Sequence, residues 1–224
     1  MNLIPTDQSA SACAPARAPA HAPADLPART PRAVLATATL LAALMLGGCS
    51  ALVAQNPSSA LQPVNAVADG NDARVMLAGH DVVAYFTLGR HALGLANINS
   101  VYEGVTFRFA NEQHKALFDA NPIKYLPQYG GYCANGMVYG IPWGGDADTW
   151  VMADGKLYIN GGASSKAAFL LDVPGHIKLA DKYWREEAQG RNSFMQRSKR
   201  MVFRVPHYKS GEELDRLVKA AAAK

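Results

Sequence analysis

GVTFRFANEQHKALFDANPIKYLPQYGGYCAN, residues 104–135, holds the signals that decide the fold. Phe107 and Phe109 alternate with Thr106 and Arg108, the period-two pattern of a half-buried strand. Asn111 sits where a helix over 112–120 needs an N-cap, and its side chain can take an orphan backbone N–H there. Asn121-Pro122 restarts the chain with a second cap and a proline at the first helical position. The stretch ends in two glycines and a lone cysteine, Cys133. A strand feeding a capped helix and a glycine-rich loop predicts an α+β fold, a small antiparallel sheet of hairpins with short helices packed on it.

Outward from this stretch, Val82-Val83-Ala84-Tyr85-Phe86 is an expected strand and 101–110 a second one. Residues 127–147 hold six glycines among Tyr129, Tyr132, Tyr139 and Trp143, which predicts an ordered loop with its own aromatic packing. Ala153-Asp154-Gly155 lies between Thr149-Trp150-Val151-Met152 and Lys156-Leu157-Tyr158-Ile159, a hairpin signature. Residues 163–171 and 175–187 read as helices broken at Val173-Pro174. Residues 201–206 are an expected strand. A last helix spans 210–222, with Ser210 and Glu213 in capping-box spacing. Hydrophobic residues make up 49% of the 224, enough for a core, and charged residues 18%, too few for a wholly disordered chain.

The quoted stretch resembles the YHS domain through Phe107-Arg108-Phe109-Ala110, His114, Phe118, Asn121-Pro122 and Tyr125. A wider resemblance, from about Asp72 to Trp184, is to bacterial YHS domain-containing (seleno)proteins. It adds Gly79-His80-Asp81-Val82-Val83-Ala84-Tyr85-Phe86, Pro127-Gln128-Tyr129-Gly130-Gly131-Tyr132-Cys133-Ala134 and Gly155-Lys156-Leu157-Tyr158-Ile159-Asn160. The resemblance implies a YHS-like domain over 72–187. Related metal-associated modules carry Cys-x-x-x-Cys after the aromatic strand. The matching positions here are Ala110 and His114, so one thiolate is lost and the other replaced by imidazole. A site surviving this change would use Cys133 and His114, with Met137 and His80 as weaker candidates. Sulfur and imidazole suit copper better than a closed four-ligand zinc centre. Because the family includes selenoproteins, a selenocysteine at the Cys133 position would imply a reactive chalcogen there.

The N-terminal region reads as export machinery. Residues 33–46, AVLATATLLAALML, form an apolar run of 14, too short to span a bilayer and suited to a signal-peptide core. Leu46-Gly47-Gly48-Cys49 follows and looks like a bacterial lipobox, with Cys49 as the acylated first residue of the mature chain. Residues 1–48 are then a lipoprotein signal peptide and 49–71 a flexible tether. The expected location is the bacterial cell envelope, lipid-anchored to the inner or outer membrane and facing the periplasm.

Cysteine arithmetic follows. Cys13 leaves with the signal, Cys49 carries lipid, and Cys133 remains as a single thiol in an oxidising compartment. It is buried, metal-bound, modified, or paired with a partner molecule. A redox role for Cys133 through a sulfenic acid or mixed disulfide stands beside the metal reading. It calls for a helix N-terminus or His114 beside the sulfur. Tyr132 is an expected pocket neighbour, Asp81 an expected cap or turn residue, and Asn160 an expected partner of local backbone. No phosphate loop, nucleophile elbow, HExxH, dinucleotide fingerprint or haem-attachment motif occurs, so the chain leans away from those enzyme classes.

Residues 188–224 form a basic extension with the terminal helix. Between Ala188 and Gly211 there is no acidic residue, while Arg191, Arg197, Lys199, Arg200, Arg204 and Lys209 all fall there. That run reads as a solvated basic face or as a surface for anionic lipid or a protein partner; nucleic acid is not the expected partner. A membrane-tethered interaction module without catalysis is the third reading.

Overall fold

The structure, a computed structural model, describes residues 61–223, so the signal segment, Cys49 and most of the tether lie outside the described residues. Strands β1 (Ala66–Asp69), β2 (Asp72–Met76), β3 (Leu95–Tyr102) and β4 (Val105–Phe109) form one sheet in the order β1-β2-β4-β3. β1–β2 and β3–β4 pair antiparallel, but β2 and β4 run parallel, with Val75 opposite Thr106. The fold is α+β, and this sheet is mixed rather than purely antiparallel. The parallel step follows from the long excursion between β2 and β4, which brings the chain back in the same direction.

The expected hairpin is present as β5 (Asp146–Ala153) and β6 (Lys156–Asn160). Asp154 at φ 50° and Gly155 at φ 69° supply the two left-handed residues that a type I′ turn requires. β6 is the partition of the molecule. Leu157 and Ile159 point into one core with Val105, Phe107, Phe109 and Phe118. Tyr158, one residue out of phase, points into a second core with Met137, Phe169, Ala180 and Tyr183. Strand periodicity of two puts consecutive side chains on opposite faces, so one buried strand serves both cores.

The helices are α1 (Ala84–Thr87), α2 (Glu112–Ala120), α3 (Pro122–Tyr125), α4 (Ala134–Met137), α5 (Ala163–Phe169), α6 (Val173–Tyr183), α7 (Ser193–Val202) and α8 (Gly211–Ala222). The expected caps are in place. Asn111 accepts from His114 N at 2.8 Å, Asn121 from Lys124 N, and Ser210 and Glu213 close a capping box. Asp172 caps α6 and Val173-Pro174 lies in its first turn, so the proline opens this helix.

Several expectations need correction. Residues 82–86 are not a strand. Asp81 Oδ1 accepts from Val83 N at 2.8 Å and Ala84 N at 3.3 Å, and this local cap winds an apolar, β-prone segment into the short helix α1. Residues 101–110 are not one strand. Glu103 and Gly104, at φ 49° and 71°, fold them into the β3–β4 hairpin. Residues 201–206 are the end of α7 and a loop, because Gln196 and Arg200, four apart on one helical face, both bond Glu187. Residues 61–71 are not a free tether, since β1 pairs with β2 and Asn65 Nδ2 donates to the carbonyls of Gly131 and Gly145. The basic extension is part of the fold. Val205 is buried in the second core, and Gln196 and His207 bond the carbonyls of Gly140 and Val138.

Candidate functional site

The loop before α4 builds the site. Tyr129, Gly130 and Gly131 occupy three consecutive left-handed conformations, at φ 55°, 61° and 78°. A Cβ on Gly130 would sit 2.3 Å from the Pro63 carbonyl, so only glycine fits there. Tyr129 takes the same region with a bulky side chain, a conformation the surroundings must enforce. Its hydroxyl donates to Asp181 at 2.9 Å and its ring packs on Tyr158 and Trp184. Burial, with that hydrogen bond, raises the phenol well above its ordinary value, so it remains a neutral donor.

This tight loop delivers Cys133 to the N-cap of α4. Its Sγ accepts from Gly136 N at 3.3 Å and lies 3.0 Å from Ser165 Oγ on α5. Cys133 is the free cysteine of the described residues and is 3% exposed, and it lines a pocket of about 250 Å³. Asn135, Trp143 and Ser165 line the same pocket near the sulfur, and Arg200, Arg204 and Lys209 line it from the C-terminal segment. A second pocket of about 490 Å³ shares Asn135, Ser165, Gly211 and Leu214 with the first. Gly161 passes close to the sulfur, where a Cβ would lie 3.5 Å from Sγ and 2.8 Å from the Gly144 carbonyl.

His114 belongs to a different site. Its Nδ1 donates to Asp81 Oδ2 at 2.6 Å, and its Nε2 lies 3.0 Å from Thr87 Oγ1. Asp81 is fully buried, and its second oxygen caps α1 as already described, while Ala110 N also donates to Oδ2 at 2.8 Å. Asp81 is therefore a cap, as expected, and also the hub that ties α1, β4 and α2 together. Thr87 Oγ1 also donates to the Val83 carbonyl, so the Asp-His-Thr series is bonded into the fold at both ends.

The metal set expected from sequence does not converge. Among the described residues no three of His, Cys, Asp and Glu come together. Since Asp81 already holds His114, Cys133 cannot stand beside that pair without making such a group. Met137 is fully buried in the second core. His80 bonds the Leu77 carbonyl and meets the edge of His91 in a pocket of its own, beside Asp146 and Asp148. These residues do not fit a shared copper or zinc centre, because a first shell needs its donors at one point.

Tyr132 is not a pocket neighbour of Cys133. Its hydroxyl bonds the Val64 carbonyl and Ser193, and it locks the N-terminal segment onto α7. Asn160 does not bond local backbone. Its Oδ1 accepts from Asn135 N, 25 positions away in the chain. Ser165, Asn135, Arg204 and Lys209 are the site residues that sequence reasoning missed. Arg204 and Lys209 were visible only as members of the basic run, and nothing in the sequence marks Ser165.

No protein-family model, no curated protein and no solved structure matches the chain.

Proposed function

We propose that this chain is a YHS-like cell-envelope lipoprotein whose domain carries out single-thiol redox chemistry at Cys133. The observation that carries the reading is the setting of Cys133. Its sulfur lines a pocket while facing the Gly136 N–H and the Ser165 hydroxyl. A thiolate there would accept both donors, and hydrogen bonds to an ionised acceptor are the strong kind. On the lipoprotein reading, which removes Cys13 and acylates Cys49, oxidation of Cys133 ends on a partner molecule or on oxygen. In exchange, the Cys133 thiolate attacks a disulfide, a new S–S bond forms at Cys133, and the other half leaves as a thiolate that takes up a proton. The anchor at Cys49 would hold this pocket near the envelope membrane.

The deciding experiment is metal analysis of the full chain purified anaerobically with reductant, together with alkylation of Cys133 followed by peptide mass spectrometry. The reading predicts a metal-free chain with Cys133 labelled by iodoacetamide in the folded state. One copper or zinc per chain with Cys133 masked would replace it with metal handling. A metal-free chain with a silent Cys133 would leave an interaction module.

A further inference from the structure

Helix α7 carries its apolar stripe on the outside. Its inward face is polar: Ser193, Gln196 and Arg200, three and four positions apart, bond Tyr132, the Gly140 carbonyl and Glu187. The opposite face holds Phe194, Met195, Met201 and Val202, and Phe203 continues it past the helix end. These five side chains are between 41% and 73% exposed. A surface helix of a soluble domain turns such a stripe toward the core. One that turns it outward beside basic residues presents a face to an apolar and anionic partner. Trp143 stands at the edge of this face, 40% exposed under the Arg197 guanidinium, and lines one pocket with Met201. Six basic residues and no acid lie between Ala188 and Gly211, and Glu187 takes up only Arg200 and Lys199. Arg191 just before the helix and Arg204 just after it are both exposed. The chain also enters the domain at this place. Gly190 N donates to the Gln62 carbonyl at 2.9 Å, and the Tyr132 hydroxyl bonds both the Val64 carbonyl and Ser193. Twelve positions separate Leu61 from Cys49, about 40 Å at full extension.

We propose that the outward face of α7, with Phe203, docks on the anionic phospholipid surface of the membrane that holds the anchor. The placement rests on the lipoprotein reading and is independent of the thiol chemistry. Met195, Met201, Val202 and Phe203 enter the boundary between headgroups and acyl chains, while Arg191 and Arg204 meet lipid phosphates. Charge favours a bilayer over a second copy of this chain, because two copies would bring like-charged rims together and anionic lipid complements them. An anchor twelve positions from the domain entry makes this second contact intramolecular and keeps the face at a high effective concentration of lipid.

Methionine oxidation tests the docking, because Met195 and Met201 are exposed on this face and Met152 lies on β5. The full chain is reconstituted into vesicles of phosphatidylcholine, or of phosphatidylcholine and phosphatidylglycerol in equal parts. It is then treated with hydrogen peroxide, an uncharged reagent, and the rate at each methionine is read by peptide mass spectrometry. Met195 and Met201 are expected to oxidise at least about five-fold more slowly on the anionic vesicles, the factor that one basic residue near an anionic surface supplies. Met152 keeps its rate. Arg191→Gln with Arg204→Gln, both at exposed positions, returns Met195 and Met201 to their phosphatidylcholine rates. Equal rates on the two vesicles in the parent chain overturn the docking, and the acyl mass at Cys49, read in the same spectra, decides the lipoprotein reading separately. Protection that appears without vesicles and grows with protein concentration overturns the docking in favour of a second copy. Protection on anionic vesicles in a chain whose Cys49 is unmodified supports the docking and removes the lipoprotein reading.

Discussion

Cys133 and His114 take opposite parts at the residue scale. Cys133 Sγ meets the Gly136 N–H and the Ser165 hydroxyl yet borders a pocket, whereas His114 spends both ring nitrogens inside the fold. Cys133→Ala is therefore expected to abolish alkylation while costing only about 1 kcal/mol, the loss of one weak N-cap, as read by chemical denaturation. His114→Ala leaves the buried Asp81 carboxylate without its ring partner and is expected to cost on the order of 3 kcal/mol. Thermal unfolding measures that loss, and Cys133 in the folded fraction should label at the parent rate. A large drop in Cys133 reactivity in that variant would mean that the two sites are coupled after all. Asn111 and Asp81 were readable as caps because a cap acts within three residues of itself. The bond from Asp81 to His114 crosses 33 positions and no local pattern encodes it.

Between elements, the junction of α7 with the turn at 184–188 depends on Glu187. Burial pushes its carboxyl up, but hydrogen bonds from Arg200, Gln196 and Lys199 outweigh that and hold it below its ordinary value of 4.5. A carboxyl whose folded pKa is depressed contributes stability that is fully present above its unfolded value. That contribution falls away as pH drops through the folded value. Acidification below about pH 4.5 is thus expected to loosen α7, and with it the Arg200 side of the Cys133 pocket. Hydrogen exchange of α7 across that range measures it, and Glu187→Gln should flatten the dependence while costing about 1–3 kcal/mol at neutral pH. A profile unchanged by the substitution would move the titration elsewhere. The helices at 112–120 and 211–222 and the 146–160 hairpin were legible because caps and I′ turns are local chemistry. The segment 82–86 was not, since its β-branched and aromatic residues suit a buried strand as well as a buried helical turn. The bonds from Asp81, just ahead of it, decided for the turn.

At the scale of the whole molecule, the chain joins an expected lipid anchor to a domain built around two cores. Cys49→Ser is expected to move the protein from the membrane fraction to the soluble fraction, with loss of the acyl mass at the mature N-terminus. Retention in the membrane would transfer anchoring to the basic C-terminal surface, where Met195, Met201, Val202 and Phe203 are exposed among arginines and lysines. The sequence by itself determined the α+β class, the caps and the 153–155 turn, because each depends on residues a few positions apart or on composition alone. Tertiary structure alone decided that residues 61–71 and 188–223 belong to the domain. It also separated His114 from Cys133 and set Cys133 beside Ser165, Asn135, Arg204 and Lys209. Those relations join residues up to 76 positions apart, between Cys133 and Lys209, and they arise only when β6 buries a different face in each core and the helices close over them.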